Sequence, residues 1–231
     1  MQHGGMPNFV VEFGNGEEPP ADGRLHGPAF ARNHEPIWSV IAPVLHDRTG
    51  DVLEVGSGTG QHAVAYARRS PAVTWWPSDL NARHLASIAA WRAHAKLPNV
   101  QPPTRIDLLD ADWDASLPVQ SALLAIVCIN VCHIAPWRVT ENVLAGAGRR
   151  LRPDGRLLVY GPFRRDGAHT APSNAAFDAS LRSQDAEWGL RDTRDIAAAA
   201  ERCGLRIAEI APMPANNFTL IIARPPRPPT R

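Results

Sequence analysis

Two groups of residues have the types and spacing to do chemistry. The first is Glu54-Val-Gly56-Ser57-Gly58-Thr-Gly60, followed further on by Asp79 at the end of an apolar run. Glycine removes the Cβ where a ligand or a neighbouring helix approaches the backbone. An acid in the place of Asp79 can accept hydrogen bonds from both hydroxyls of a ribose. The pattern departs from the dinucleotide version G-x-G-x-x-G/A, because Gln61 occupies the closing position and the third glycine comes one residue early. Lys96 is the one lysine of the chain, so no G-x-x-x-x-G-K-[ST] phosphate loop exists. A pyrophosphate beside Glu54 would lack a compensating cation. S-adenosyl-L-methionine carries a sulfonium and an ammonium but no phosphate, and suits this set better than a nicotinamide or flavin. A glycine turn used only for packing is the plain alternative.

The second group lies near the ends of later apolar runs. Asn130 closes 121–130, His133 is expected to end that strand three residues on, and Tyr160 ends the next run. His133 could act as a base on an acceptor, or be a satisfied structural histidine. The Tyr160 hydroxyl could meet the same pocket. Trp137, Phe163, Phe177 and Trp188 could wall it, although each could equally be core. Asn174 and the pair Asn216-Asn217 are turn formers that could instead touch a substrate. Arg32 and Asn33 precede "EPIWSVIAPVL", read as a helix, and Arg32 could pair with a carboxylate. His169 reads as a surface-loop histidine.

These residues need a scaffold, and the chain alternates short apolar runs with segments of helical period. Strands are expected at 51–55, at 72–79, around 99–108 despite two prolines, at 121–130 and over "RLLVYGPF" after an "RPDG" turn. Helices are expected over "QHAVAYARR", over the segment ending before Pro98, and from Val143 to Leu151. A last helix is capped by Asp192 or Thr193 and stopped by Gly204. "LRIAEIAPM" and "NNFTLIIAR" leave no room for a helix between them, so they should pair antiparallel. The expected fold is α/β: a doubly wound, mostly parallel seven-stranded Rossmann-like sheet, with a C-terminal antiparallel hairpin and helices on both faces. Residues 24–223 would form this domain, with flexible tails at 1–23 and 224–231. The segment 162–175 would be a loop covering the site.

The order E-V-G-S-G-T-G, then Asp79, then Asp107, resembles the class I S-adenosylmethionine-dependent methyltransferases. From 24 to 222 the chain is also similar to the largely uncharacterised methyltransferase-like twenty-six type. The matching stretches are "ARNHEPI", "LEVGSGTGQHA", "WWPSD", "CINVCHIAPW", "YGPF", "PSNAAFDASLR", "EWGLRDT" and "MPANN". Val131-Cys132 and the segment 164–171 depart from that pattern. The resemblance implies cofactor contacts from Arg32, Asn33, Glu54, Gly56, Ser57, Gly58, Gly60, Asp79, Leu80, Asp107, Leu108 and Asn130, with Asp107 beside the adenine. It places Asn130 to His133 at the reaction centre; Tyr160 is expected to meet the same pocket, and Trp137, Phe163, Asn174, Phe177 and Asn216 the acceptor. The product would be S-adenosyl-L-homocysteine.

Bulk properties narrow the partners. Net charge is +1, which gathers neither nucleic acid nor an anionic membrane, and no N/D-P-P-Y/F sequence follows 121–130. No apolar run reaches membrane-spanning length, and the N-terminus lacks the basic start and apolar block of a signal peptide. Cys128, Cys132 and Cys203 lack CxxC spacing, so no metal site is expected and reduced cytoplasmic thiols are. The expected function is methyl transfer to a small-molecule acceptor. The alternatives are an intramolecular cyclisation releasing methylthioadenosine, and a non-catalytic binding module.

Overall fold

The structure is a computed structural model that describes residues 21–226. A helix, α1 (Phe30–Leu45), leads into β1 (Gly50–Val55), α2 (Gln61–Arg69), β2 (Val73–Asp79), α3 (Ala82–Ala95) and β3 (Thr104–Arg105). Then come β4 (Leu123–Ile129), α4 (Trp137–Arg150), β5 (Leu151–Gly161), β6 (Phe163–Arg165), β7 (Ala168–His169) and α5 (Pro172–Gln184). The chain ends with β8 (Arg191–Asp192), α6 (Thr193–Arg202), β9 (Arg206–Met213) and β10 (Asn217–Ala223).

Seven strands form one sheet in the order β3-β2-β1-β4-β5-β10-β9. The first five run parallel, and β10 lies antiparallel to both β5 and β9, as the helix-free connection requires. Every residue of β4 is buried, the mark of a central parallel strand covered on both faces. One face carries a core of Ile126, Val143, Leu157 and Ile196, under α4 and α6. The other carries Ile37, Ile41, Tyr66 and Trp75, under α1 and α2. The fold is the Rossmann-like doubly wound sheet expected. The order reverses between β1 and β4, so a crevice opens above their carboxyl ends.

Several local expectations give way to backbone chemistry. Helix α1 begins at Phe30, because Phe30 N–H bonds Gly27 O and Asn33 N–H bonds Ala29 O, both at 3.1 Å. Arg32 and Asn33 therefore sit in its first turn instead of preceding it. The third strand shrinks to two residues plus an isolated Val100–Trp75 bridge, since Pro102 and Pro103 donate nothing to a ladder. "RPDG" is a bulge inside β5: Leu123 pairs with Leu151, but Ala125 pairs with Arg156, so Leu151 starts the strand and does not end a helix. The segment 162–175 is no loop. It holds β6 and β7, which join β8 in a small second sheet, and then the start of α5. The last helix is capped by Asp192, whose Oδ1 accepts from Arg194 N–H at 2.9 Å. Of the tails expected at 1–23 and 224–231, residues 1–20 and 227–231 lie outside the described residues. Arg224, placed in the C-terminal tail, is tied to the carbonyls of Gly148 and Leu151.

Candidate functional site

The glycine turn between β1 and α2 stands beside the β4–α4 turn. Gly56, Gly58 and Gly60 all have positive φ (64°, 54° and 88°), a conformation that β-carbon-bearing residues adopt at a cost. A Cβ on Gly56 would lie 2.6 Å from Val131 Cγ2, across the gap between the two turns. Gly60 faces the other way. Its Cβ would meet the Ile88 backbone at 2.9 Å, so it permits α2 to pack on α3 and lines no cavity. Ser57 is also structural: its hydroxyl donates to Glu54 O at 3.2 Å and accepts from Ser78 N–H at 3.1 Å, stitching β1 to β2.

Above the turn lies an inner cavity, lined by Gly56, Gly58, Asp79 and Leu80 on one side. Ile106, Leu108, Asn130, Val131, Ala135 and Val139 line the other. Asp79 is 8% exposed and accepts from Gly58 N–H (2.8 Å) and Asn81 N–H (2.9 Å), with His84 Nδ1 at 3.1 Å. A carboxylate offers about four acceptor positions, so capacity for a ligand hydroxyl remains. Neither arginine nor lysine lines the cavity among the described residues. Beneath it, Glu54 is buried with Oε2 lacking a partner among the described residues. Burial pushes its carboxyl up to about 8, Asp79 adds to the rise and Ser57 opposes it.

A wider outer cleft meets the inner cavity at Asn130 and Ile134, which line both. Asn130 has φ 58° and donates its N–H to Tyr160 O at 2.9 Å, turning the chain off β4 toward the cleft. His133 sits in the turn that follows, not at the strand end. Its ring is 5.6 Å from that of Phe177, edge to face, and burial depresses its imidazole to about 4. It is therefore neutral at pH 7. Tyr160 lines the same space, its phenol pushed up by burial against a hydrogen bond from Asn33 and the Arg32 charge. The Asn33 side chain is fixed by His62 Nε2 at 2.9 Å. Pro36 cannot supply an N–H to the Arg32 carbonyl, and both residues line the cleft. On the far side, Asn174 Nδ2 donates to Asn216 O (3.0 Å) and Thr170 Oγ1 (3.0 Å). Ala215 and Asn216 hold positive φ there.

The structure thus gathers most of the expected residues into two joined spaces. Gly56, Gly58, Asp79, Leu80, Leu108 and Asn130 line the inner one, and Arg32, Asn33, Asn130, His133, Tyr160, Asn174, Phe177 and Asn216 the outer. Glu54 and Ser57 support them from below. Four others stand apart. Asp107 turns its Oδ1 to Leu109 N–H (2.9 Å) and leaves the lining to its two neighbours. Gly60 packs helices. Phe163 is 1% exposed in the core, because β6 belongs to a sheet that turns it inward. Trp137 opens α4 and lies against Arg191 on a separate surface groove. Ala135 and Val139 of the inner wall, and Ser173 and Gln184 of the outer, carry no signal in the sequence. Val139 follows the apolar period of α4, so only the tertiary fold reveals that it borders a cavity.

The family profile described as "Protein of unknown function (DUF938)" matches residues 24–224. This chain belongs to the DUF938 family. Among solved structures it is similar to an O-methyltransferase family protein from Burkholderia thailandensis, with 22% identity and TM-score 0.71 over 85% of this chain and 57% of that one. It is also similar to the mitomycin 7-O-methyltransferase MmcR (18% identity, TM-score 0.66, 83% and 54% covered). A third is CalO1, a methyltransferase in calicheamicin biosynthesis in its SAH-bound form (17% identity, TM-score 0.64, 83% and 54% covered). The DUF938 chain spans a little over half the length of these proteins. At such identities the likeness establishes the shared fold.

Proposed function

We propose that this DUF938 protein is an S-adenosylmethionine-dependent enzyme that transfers the methyl group to a small-molecule acceptor. The observation that carries the reading is the junction of an inner, phosphate-unfriendly cavity with an outer cleft at Asn130 and Ile134. The residues fit the cofactor. Leu80, Ile106 and Leu108 offer an apolar slot for an adenine, and Asp79 has acceptor capacity for a ribose. Glu54, neutral and with Oε2 unpartnered among the described residues, would ionise beside an ammonium, and Arg32, which lines the outer cleft, would pair with a carboxylate. The bound cofactor supplies an activated methyl on a sulfonium. The resemblance to the methyltransferase-like twenty-six type supports the same reading, and so do the methyltransferases with this fold.

The chain's own work is alignment and proton handling. Holding two partners in line contributes roughly 7–11 kcal/mol to lowering a barrier, and a placed base about 10²–10⁴-fold more. His133, neutral inside the cleft, is the proposed proton acceptor, and Tyr160 the group that orients the acceptor. Helix α5, through Ser173, Asn174 and Phe177, forms a wall that keeps water out. Asp107 would act only by fixing the backbone between Ile106 and Leu108. No described helix is long and apolar enough to cross a membrane. A cytoplasmic setting accords with the three free thiols.

Mass spectrometry of the full chain incubated with S-adenosylmethionine and a fractionated metabolite extract tests this. S-adenosylhomocysteine formed only when a fraction is added, with a matching methylated product, is the expected result. Methylthioadenosine released without any acceptor would instead point to cyclisation, and a cofactor left intact to a binding module.

A further inference from the structure

The outer cleft carries a chemical signature of its own. Among the described residues that line it there is no aspartate or glutamate, and its one permanent charge is Arg32. A cationic guest would therefore find no counter-ion. Trp188, 6% exposed, lines the cleft, and its indole Nε1–H has no partner among the described residues. Leaving a buried donor unsatisfied costs free energy, so such a group is a natural anchor for a ligand oxygen.

The indole is held in place by its own turn. Gly189 N–H bonds His133 O at 3.0 Å, and Leu190 N–H bonds Asp178 Oδ1 at 2.7 Å. Gly189 has φ 135°, and a Cβ there would lie 2.6 Å from Asp178 Oδ1, so "EWGL" cannot be built without that glycine. Trp188 is thus tied through the backbone to the turn that carries His133, and packs on Leu181, Leu190 and Ile134. Phe177, also lining the cleft, is 41% exposed, the one large hydrophobic side chain left exposed among the described residues. A flat apolar body laid against it would cover it.

We infer that the outer cleft takes a planar ring compound, uncharged or anionic, with an oxygen that accepts a hydrogen bond from the Trp188 indole. Trp188 is then a specificity-determining residue of the acceptor site. This inference rests on the proposed methyl-transfer reading, which it supplies with a substrate class. A neutral His133 agrees with it, since a protic acceptor can give up its proton there.

The test compares three probes with one ring system: 2-naphthoate, 2-naphthol and 2-naphthylmethylammonium. They are titrated into the full chain with ¹⁵N-labelled indoles, and the Trp188 signal is assigned by its loss in Trp188→Phe. The expected result is that 2-naphthoate and 2-naphthol bind about tenfold more tightly than the ammonium and move the Trp188 N–H signal. Trp188→Phe should weaken naphthoate about tenfold while its thermal midpoint stays level or rises, because the orphan donor is gone. Phe177→Ser, at an exposed position, should weaken all three. The inference is overturned if the ammonium binds as tightly as the others, if none binds, or if naphthoate saturates without moving the Trp188 signal. A parallel titration with S-adenosylhomocysteine separates the two readings. Cofactor binding with a reversed probe order sinks only the substrate class, whereas probe binding in the expected order without cofactor binding sinks only the methyl-transfer reading.

Discussion

At the scale of single residues, three buried groups set opposing pH dependences. Glu54 titrates at about 8 in the folded chain against an ordinary value of 4.5. Between those values the folded chain keeps a proton that the unfolded chain has lost, so this group's contribution to stability falls as pH rises through the interval. Glu54→Gln should raise the thermal midpoint at pH 8 and barely change it at pH 5. Equal effects at both would contradict the burial argument. His62 and His133 act in the opposite sense, both depressed by burial to about 4 from 6.5. Their contribution is complete above pH 6.5 and is lost as pH falls through about 4. His62→Gln, which can still reach Asn33, should therefore soften the acid-induced loss of stability, read from unfolding curves between pH 4 and 7. In turnover, His133→Ala should lower kcat by about 10²–10⁴-fold with cofactor affinity preserved. The wild-type rate should show no downturn from this group above pH 6. A kcat within twofold of wild type would reduce His133 to a structural role.

At the scale of elements, the glycine turn is where sequence and structure agree most closely, and also where they part. Gly56 and Gly60 look equivalent in the sequence. Gly56 shapes the gap to Val131, however, while Gly60 seats α2 on the Ile88 backbone. Gly60→Ala should lower stability by about 1–3 kcal/mol, seen as a fall in the thermal midpoint. Gly56→Ala should cost cofactor affinity as well, and Val131→Ala should restore part of that loss by removing the facing methyl groups. If the second change restores nothing, the two turns do not meet as described. The central strands were legible because a strand buried on both faces reads as a continuous apolar run, as Leu123–Ile129 does. The small sheet of β6, β7 and β8 was not, because strands of two or three residues leave no periodicity to detect. The α1 start was misplaced because no capping side chain marks it. Phe163 and Trp137 could be cavity wall or core by sequence alone, and neighbouring strands and helices, absent from any local pattern, decide between the two.

At the scale of the whole molecule, the seven-stranded sheet opens between β1 and β4 and holds two spaces joined at Asn130 and Ile134. The N-terminal segment is part of that architecture. Leu25 N–H donates to Ser87 Oγ, Trp91 Nε1 to Leu25 O, and Gly27 N–H to Gln61 Oε1, so α1 is anchored to the glycine-turn side of the molecule. The sequence marked the inner space, the proposed cofactor side, through glycines and acids. The outer cleft, the proposed acceptor side, depends on pieces of α1, α5 and the turn before β10, which only the folded chain brings together. Ligand binding to the folded state alone adds about 2.7 kcal/mol of stability at one hundred times Kd, enough to move the thermal midpoint by several degrees. The most direct test of the central claim is hydrogen–deuterium exchange of the full chain with and without S-adenosylhomocysteine. Slowed exchange at 56–58, 79–80, 106–108 and 129–135, and not at the β9–β10 edge, is the expected result. Exchange unchanged at saturating ligand, or protection confined to another surface, would contradict it.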